Sequence, residues 1–586
     1  MIFFFGQPDL TIYAVSAERQ LDSQTVEKLS WLFGGQPQIS AEEIKGKFVG
    51  PRAAMVTPWS TNAVEITQNM GVSAIDRIEQ YWPLNEKDAF DPMLSQAFQG
   101  LNQKLFQLDH SPDSIKEITD IFRFNSDEGL ALSQEEVEYL IDLSSRIGRP
   151  LTDSEVFGFS QVNSEHCRHK IFNGSFIIDG VSQEDSLFSL IKKTSKTHGH
   201  NIVSAYKDNV AFLSGPKVTQ FSPLRGDHPD YFSKKPFNSI ISLKAETHNF
   251  PTTVEPFNGA ATGSGGEIRD RLAGGKGSIP LAGTAVYMTA YSRVTQGRPW
   301  EDGISPRPWL YQTPLDILIK ASNGASDFGN KFGQPLISGS VLTFEHKEQE
   351  EIMGFDKVIM LAGGIGYGKA QMAQKDTPKA GDRIVVMGGD NYRIGMGGAA
   401  VSSADTGAFS SGIELNAIQR SNPEMQKRAA NAIRALVESD KNPIVSIHDH
   451  GAGGHLNCLS ELIEETGGHI NLDRLPIGDP TLSAKEIIGN ESQERMGLII
   501  APEDLPLLAK IAERERAPMY DVGEVTADDR FLIESEKTGE RPMDFNLGDM
   551  FGSAPKTILT DTSLNPAFKQ VASNDADIHQ DLEAVL

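Results

Sequence analysis

Lys244-Ala245-Glu246-Thr247-His248-Asn249-Phe250-Pro251 gathers a cation, a carboxylate and an imidazole directly after the apolar run Ile240 to Leu243. Strand side chains alternate with a period of two, so Glu246 and His248 share a face and can meet one ligand while Thr247 points away. Pro251 is expected to block helical continuation. Alone, the pattern also describes a solvated strand edge. The next segment, Asn258 to Asp270, shifts the balance, because Gly259, Gly263, Gly265 and Gly266 free the backbone and Glu267 and Asp270 follow. A glycine-rich turn can cradle phosphate oxygens in successive N–H groups, and Glu267 or Asp270 can hold a Mg²⁺ that bridges them. The segment is expected to be such a turn. It is neither a Walker A loop nor a dinucleotide fingerprint, since no Gly-Lys-Ser/Thr falls in frame and no Gly-x-Gly-x-x-Gly follows a strand.

Two further groups have chemical potential. Asp449 ends the apolar stretch Pro443 to Ile447 and precedes Gly451-Ala452-Gly453-Gly454, after which Leu456 to Glu465 has helical character. A carboxylate there can bind a metal while the helix start receives an anion, or Asp449 can be an ordinary cap. His166 and His169, three residues apart, lie on one helix face. No neighbouring Cys or His completes a zinc set, and Arg168 would place a cation beside the metal. A substrate-facing polar helix fits better, with His166 as base or orienting donor near neutral pH. Cys167 has no evident partner base and reads as a small buried hydrophobe. Cys167 and Cys458 lack disulfide-scaffold or metal spacing.

Positioning these groups requires several elements. Ser133-x-x-Glu136 is a capping box opening an apolar stripe that Gly148 and Pro150 close, and Thr152-x-x-Glu155 opens a second helix expected to carry Ser160 through Lys170. Ile202 to Tyr206, Lys207-Asp208-Asn209 and Val210 to Leu213 read as a hairpin. Residues before 130 hold eight glycines but three of the five tryptophans, whereas seven glycines fall between Gly259 and Ser278. The expected class is α/β (α+β multidomain), divided at 1–130, 131–199, 200–375, 376–560 and 561–586, with linker composition at Gln374 to Lys379. The length of 586 residues suits several domains. The net charge of -25 disfavours nucleic acid and anionic membrane surfaces, so any phosphate site must be local. No signal or spanning segment is evident at the start, and the expected location is the cytoplasm.

These strings, together with Glu491-Ser492-Gln493-Glu494-Arg495-Met496, Phe48 to Arg52 and Thr57 to Asn62, resemble the phosphoribosylformylglycinamidine synthase family in its large single-chain form. The resemblance implies an N-terminal domain similar to the small subunit of split systems, a helical linker, and one pair of aminoimidazole-ribonucleotide-synthetase-like domains. It implies conversion of formylglycinamide ribonucleotide, ATP and ammonia to formylglycinamidine ribonucleotide, ADP and phosphate in de novo purine biosynthesis. It also implies His166 and His248 as catalytic, and Glu246, Asp270 and Asp449 as Mg²⁺ ligands. Lys244 would lie beside the nucleotide, with Gly263, Gly265 and Gly266 as its cradle, and Ser492, Gln493 and Arg495 would contact substrate.

The family continues into a second synthetase-type half and a glutaminase domain that this sequence does not contain. Neither Cys167 nor Cys458 stands on a tight strand-to-helix turn, so glutamine hydrolysis is not expected. Ammonia would come from an external glutaminase, and the missing half in trans or through self-association. Two other readings stand beside this one: a non-catalytic nucleotide-binding or assembly module or inactive truncated product, and a related synthetase-type enzyme with another substrate. The Ser164 to Lys170 motif argues against the last.

Overall fold

The computed structural model describes residues 1–564 except 109, 296–297, 307–310, 349–350, 492–493 and 553–554, and beyond 564 only 578, 579 and 582. Almost all of the expected tail region therefore lies outside the described residues. No helix among them is long and apolar enough to cross a membrane. The chain forms two compact units, Met1–Ser114 with 390–394 and 476–487, and the remainder from Ile115.

The first unit is a six-stranded antiparallel sheet in the order Gln38–Ile39, Ile2–Gly6, Ile12–Ala17, Ile75–Pro83, Glu43–Pro51, Ser95–Asn102. Strand alternation divides its apolar start between two cores. Phe3 and Phe5 pack with Val15, Leu29 and Ile78, while Ile2 and Phe4 pack with Ile44, Phe48 and Tyr81. Arg393 and Glu486, from the two later segments, pair within this unit at 2.6 Å.

In the second unit both capping boxes form. Ser133 and Glu136 cap helix Gln134–Ile147, which ends on left-handed Gly148, and Thr152 and Glu155 cap helix Asp153–Val162. That second helix does not continue to Lys170 as expected. Asn163 Nδ2 binds the carbonyls of Phe159 and Met550, and Ser164 Oγ caps a new four-residue helix, Glu165–Arg168. Side chains that bond their own backbone compete with helix propagation, and here two in succession end it. His169, at φ 52°, closes the short helix.

Two sheets follow. The first runs Ile202–Ser204, Ala211–Pro223, Phe232–Thr247, Ile359–Lys369, Ile279–Thr289, Leu336–Thr343, and the expected hairpin is its first antiparallel pair. The second has seven strands, with Ile444–Asp449 at one edge beside Arg495–Ile500. Between them lies helix Pro256–Ala273, whose Ile268 and Leu272 share one core with Val385, Met387, Ile433, Ile447 and Leu498.

This helix overturns the expected phosphate-cradling turn. Its N–H groups are engaged in the helical ladder, so Gly263, Gly265 and Gly266 cannot form a nest from their backbones. Their lack of side chains lets neighbours approach instead. A Cβ at Gly263 would stand 2.9 Å from His248 Cβ, at Gly265 2.6 Å from the Phe328 ring, and at Gly266 2.6 Å from Glu246 Oε1. Pro251 likewise does not block a helix, because it sits in the first turn of Asn249–Val254, where its missing N–H is not needed.

Gly265→Ala tests this packing directly, since the Phe328 ring is fully buried and cannot swing aside. The expected loss is about 1–3 kcal/mol of unfolding free energy, measured by urea denaturation. A variant as stable as the parent would contradict the close approach.

Candidate functional site

The glycine-rich helix presents its inner face to the ends of two strands from different sheets. On Phe232–Thr247, Lys244 and Glu246 turn inward while Ala245 and Thr247 are exposed, as period-two alternation requires. His248 follows on the inward face. Asp270 comes from the helix itself, and Asp449 ends the edge strand of the second sheet. Lys244 Nζ lies 2.7 Å from Asp270 Oδ2 and 3.5 Å from Glu246 Oε2. Asp270 also lies near enough to Glu246 and Asp449 for each carboxylate to shift the protonation of the others.

The electrostatics follow from this crowding. Burial, reinforced by the Asp270 charge, raises Glu246 well above the carboxylate range and Asp449 to about 7. Asp270 is held low, because Lys244 outweighs its own desolvation. Lys244 is raised in turn, with Asp270 and Glu246 overcoming burial. Hard oxygen donors whose mutual repulsion a cation would relieve suit Mg²⁺ in kind. Among the described residues, however, no three His, Cys, Asp or Glu groups enclose a common point as metal ligands. Lys244 and the amide of Asn209 stand between the oxygens instead, Asn209 Nδ2 donating to Asp270 Oδ1 and Asp449 Oδ1 at 3.0 Å each. Glu267, the other acid considered for a metal, faces away. It accepts Arg271 Nε at 2.8 Å and Gln334 Nε2 at 2.6 Å.

His166 lies on the short helix with its ring exposed, yet surrounding protein lowers its pKa, aided by the charges of His169 and Lys244. His248 is lowered to about 4, first by desolvation and then by His166 and Arg269. Its Nδ1–H donates to the Gly259 carbonyl at 2.5 Å, which leaves Nε2 as the acceptor nitrogen. The two imidazoles are thus neutral at physiological pH. Cys167 Sγ accepts from Asn457 Nδ2 at 2.9 Å, and burial pushes its thiol up to about 12, so it is no thiolate nucleophile.

Several residues were not legible as site residues beforehand. Arg269, on the glycine-rich helix, pairs with buried Glu494 and lies 3.7 Å from Glu491 Oε1 and 3.9 Å from Asp449 Oδ2. His448 Nε2 pairs with Glu461 Oε2 at 2.5 Å, and this partner keeps the imidazole charged despite burial. Arg269 and Glu494 sat within strings noted for other members, and Asn209 was hidden by its turn composition. Arg495 does not fit substrate contact. It is fully buried, with Nη2 donating to the Asn490 carbonyl at 2.8 Å and Nη1 3.3 Å from His455 Nε2. Arg495 begins a central strand, and its side chain follows the inward alternation there. Ser492 and Gln493 lie outside the described residues.

Comparison with known proteins places these segments. The formylglycinamide ribonucleotide amidotransferase N-terminal model matches residues 10–102, and the linker-domain model of the same enzyme matches 121–170. The C-terminal domain model of AIR synthase related proteins matches 379–534, and the three together take in about half of the chain. In fold, the chain is similar to Thermotoga maritima PurL complexed with FGAR, at 24% identity over 74% of this chain and 60% of that one, with a TM-score of 0.51. It also aligns with phosphoribosylformylglycinamidine synthase II from Thermotoga maritima, at 23% identity over 74% of this chain and 58% of that one, with a TM-score of 0.49. The chain therefore spans about 60% of the length of these solved proteins.

The state of His248 gives a test. With its pKa near 4, its ring proton shifts should stay flat in NMR spectra from pH 8 to about pH 5.5, and a midpoint near 6.5 would contradict the geometry. An imidazole neutral when folded but protonated when unfolded removes stability as pH falls from 6.5 towards 4. His248→Asn should flatten that part of the urea-midpoint profile.

Proposed function

The chain belongs to the formylglycinamide ribonucleotide amidotransferase family, and from that membership we propose that its second compact unit converts formylglycinamide ribonucleotide to formylglycinamidine ribonucleotide with ATP and ammonia. One observation carries the reading. His166 from the linker match, Asp449 from the AIR synthase-related match, and Lys244, Glu246, His248 and Asp270 from the segment between them form one electrostatically linked cluster.

An amide oxygen is a poor leaving group until it is phosphorylated. ATP transfers its γ-phosphoryl group to that oxygen and leaves as ADP; ammonia then adds to the carbon, loses a proton, and the C–O bond breaks to release phosphate. Lys244 is suited to meet phosphate oxygens, since its neighbours keep it cationic. His166, neutral near pH 7 and exposed to the site, is suited to take the proton from attacking ammonia. His248, anchored through Nδ1, offers Nε2 to hold the substrate amide. Glu246, Asp270 and Asp449 would hold Mg²⁺, which when bound supplies charge neutralisation at the phosphates.

The same proposal includes ammonia from a separate glutaminase, a second synthetase-type half supplied in trans or by self-association, and a cytoplasmic location. It keeps the division at 1–130, 131–199, 200–375 and 376–560. The test is ADP release measured with formylglycinamide ribonucleotide, ATP, Mg²⁺ and ammonium, with a chain carrying the second half added. Release should require the ribonucleotide, and His166→Ala should lower it by roughly 100-fold or more while ATP affinity is unchanged. ADP release indifferent to the ribonucleotide would overturn the proposal; an unaffected His166→Ala rate would assign that residue to structure.

A further inference from the structure

Away from the carboxylate cluster, the second unit has a cavity of about 700 Å³ between helix Leu187–Thr197 and the chain from Gly199 to Lys207. Lys192, Lys196, Lys207 and His200 line it, and among the described residues no Asp or Glu does. The cluster contributes nothing to its wall. In a chain with 79 acids against 54 bases, a cavity whose only charged lining is basic is the reverse of what composition would give. A volume of that size suits a small molecule rather than a protein segment.

These cations are not offset from elsewhere. Lys192 and Lys196 stand four residues apart on the helix, so they share a face and repel one another. Among the described residues neither they nor Lys207 forms an ion pair, whereas Lys193 of the same helix pairs with Asp185. Lys192 Nζ lies instead 4.2 Å from the centre of the Phe188 ring and 5.7 Å from that of Tyr206, a contact that holds an ammonium without neutralising it. The wall formed by Tyr206 is strained. Its φ of 61° is a left-handed backbone that a bulky residue keeps only where its surroundings hold it. The ring meets Phe188 edge to face at 5.6 Å, and the hydroxyl lies 3.2 Å from Ser195 Oγ. Both contacts tie Tyr206 to the helix and set Lys207, which follows it, at the same opening.

Three ammonium groups around one small space, with no carboxylate among them, suit an anion that has several oxygens. A phosphate group carries close to two charges near pH 7 and accepts charge-assisted hydrogen bonds from several donors at once. A carboxylate offers one charge and two oxygens, which leaves a third lysine without a share. We propose that this cavity binds a phosphate group, with Lys192, Lys196 and Lys207 as its donors and the Ser195 hydroxyl beside them. The group belongs either to a free phosphate ion or to a phosphorylated nucleoside, whose ring would lie against the exposed ring of Tyr206. The site stands apart from the function proposed above, since it shares no residue with the cluster.

The experiment is a titration of the full chain with inorganic phosphate, the tyrosine rings being ¹³C-labelled and the Tyr206 signal assigned from Tyr206→Phe. That signal should move to saturation. The double variant Lys196→Gln/Lys207→Gln should raise the dissociation constant by roughly tenfold or more. Both lysines are exposed, so the variant keeps the fold, which an unchanged urea midpoint verifies. A Tyr206 signal that phosphate leaves in place overturns the proposal, as does equal affinity in the double variant or the same movement with sodium chloride at matched ionic strength. Adenosine monophosphate, followed by the same signal, separates the two sources. Tighter binding than phosphate assigns the site to a nucleotide, and equal or weaker binding assigns it to the free ion.

Discussion

Three carboxylates from three separate parts of the chain are held close enough to shift one another's protonation, and much of the second unit is arranged around that repulsion. Glu246 comes from a strand end, Asp270 from a helix and Asp449 from the edge of another sheet. Like charges at such range oppose each other by about 4 kcal/mol at the effective dielectric of a protein surface, so the cluster stands only with compensation. Lys244 supplies it on one side at 2.7 Å from Asp270, and Arg269 on the other at 3.9 Å from Asp449. Arg269 is itself a buried charge, and Glu494 and Glu491 balance it in turn. Removing any one of these charges leaves another uncompensated in a medium where that is costly.

Bringing the groups together also needs a helix that can lie against two sheets. Pro256–Ala273 manages this because its strand-facing positions Gly263 and Gly266 carry no side chain where His248 and Glu246 come closest. Glycine lowers helix stability by about 1 kcal/mol per residue relative to alanine, so several in one helix are retained only where closeness matters more than propensity. The opposite face carries Ile268 and Leu272 into the core shared with the second sheet. The same helix therefore sets the distance to one strand end by having no side chains and to the other sheet by having large ones.

Local rules carried the reading of the sequence furthest where the signal was local. Both capping boxes, the Gly148 stop and the hairpin after residue 200 involve partners within a few residues, and all formed. The alternation that put Glu246 and His248 on one face is also local and held. The glycine segment misled because composition alone does not distinguish a turn that needs backbone freedom from a helix that needs close approach. What separates them is the neighbour at each missing Cβ, and Phe328 lies more than sixty residues away in sequence. Asn209, Arg269, His448 and Glu494 escaped notice for the same reason, since each takes its meaning from a distant partner. Arg495 was the converse, a polar residue in a chemically suggestive string whose alternation directs it into the interior.

A chain with net charge -25 would repel a nucleoside triphosphate at long range, yet the site draws its cations from within. Lys244 and Arg269 are buried with acidic partners that keep them protonated, and His448 is kept charged by Glu461. The local field is therefore close to balanced rather than negative. At physiological ionic strength, charges more than about 8 Å away are largely screened where solvent reaches them, so the surface excess matters little once a ligand has entered. Inside, the balance is sensitive to each added charge. A cation entering among the carboxylates lets Glu246 and Asp449 give up their protons, and an anion entering next to Lys244 and Arg269 competes with the acids that hold them. Each kind of guest would relieve what the other would strain, so under the proposed function a metal and a phosphate would enter together more readily than either alone.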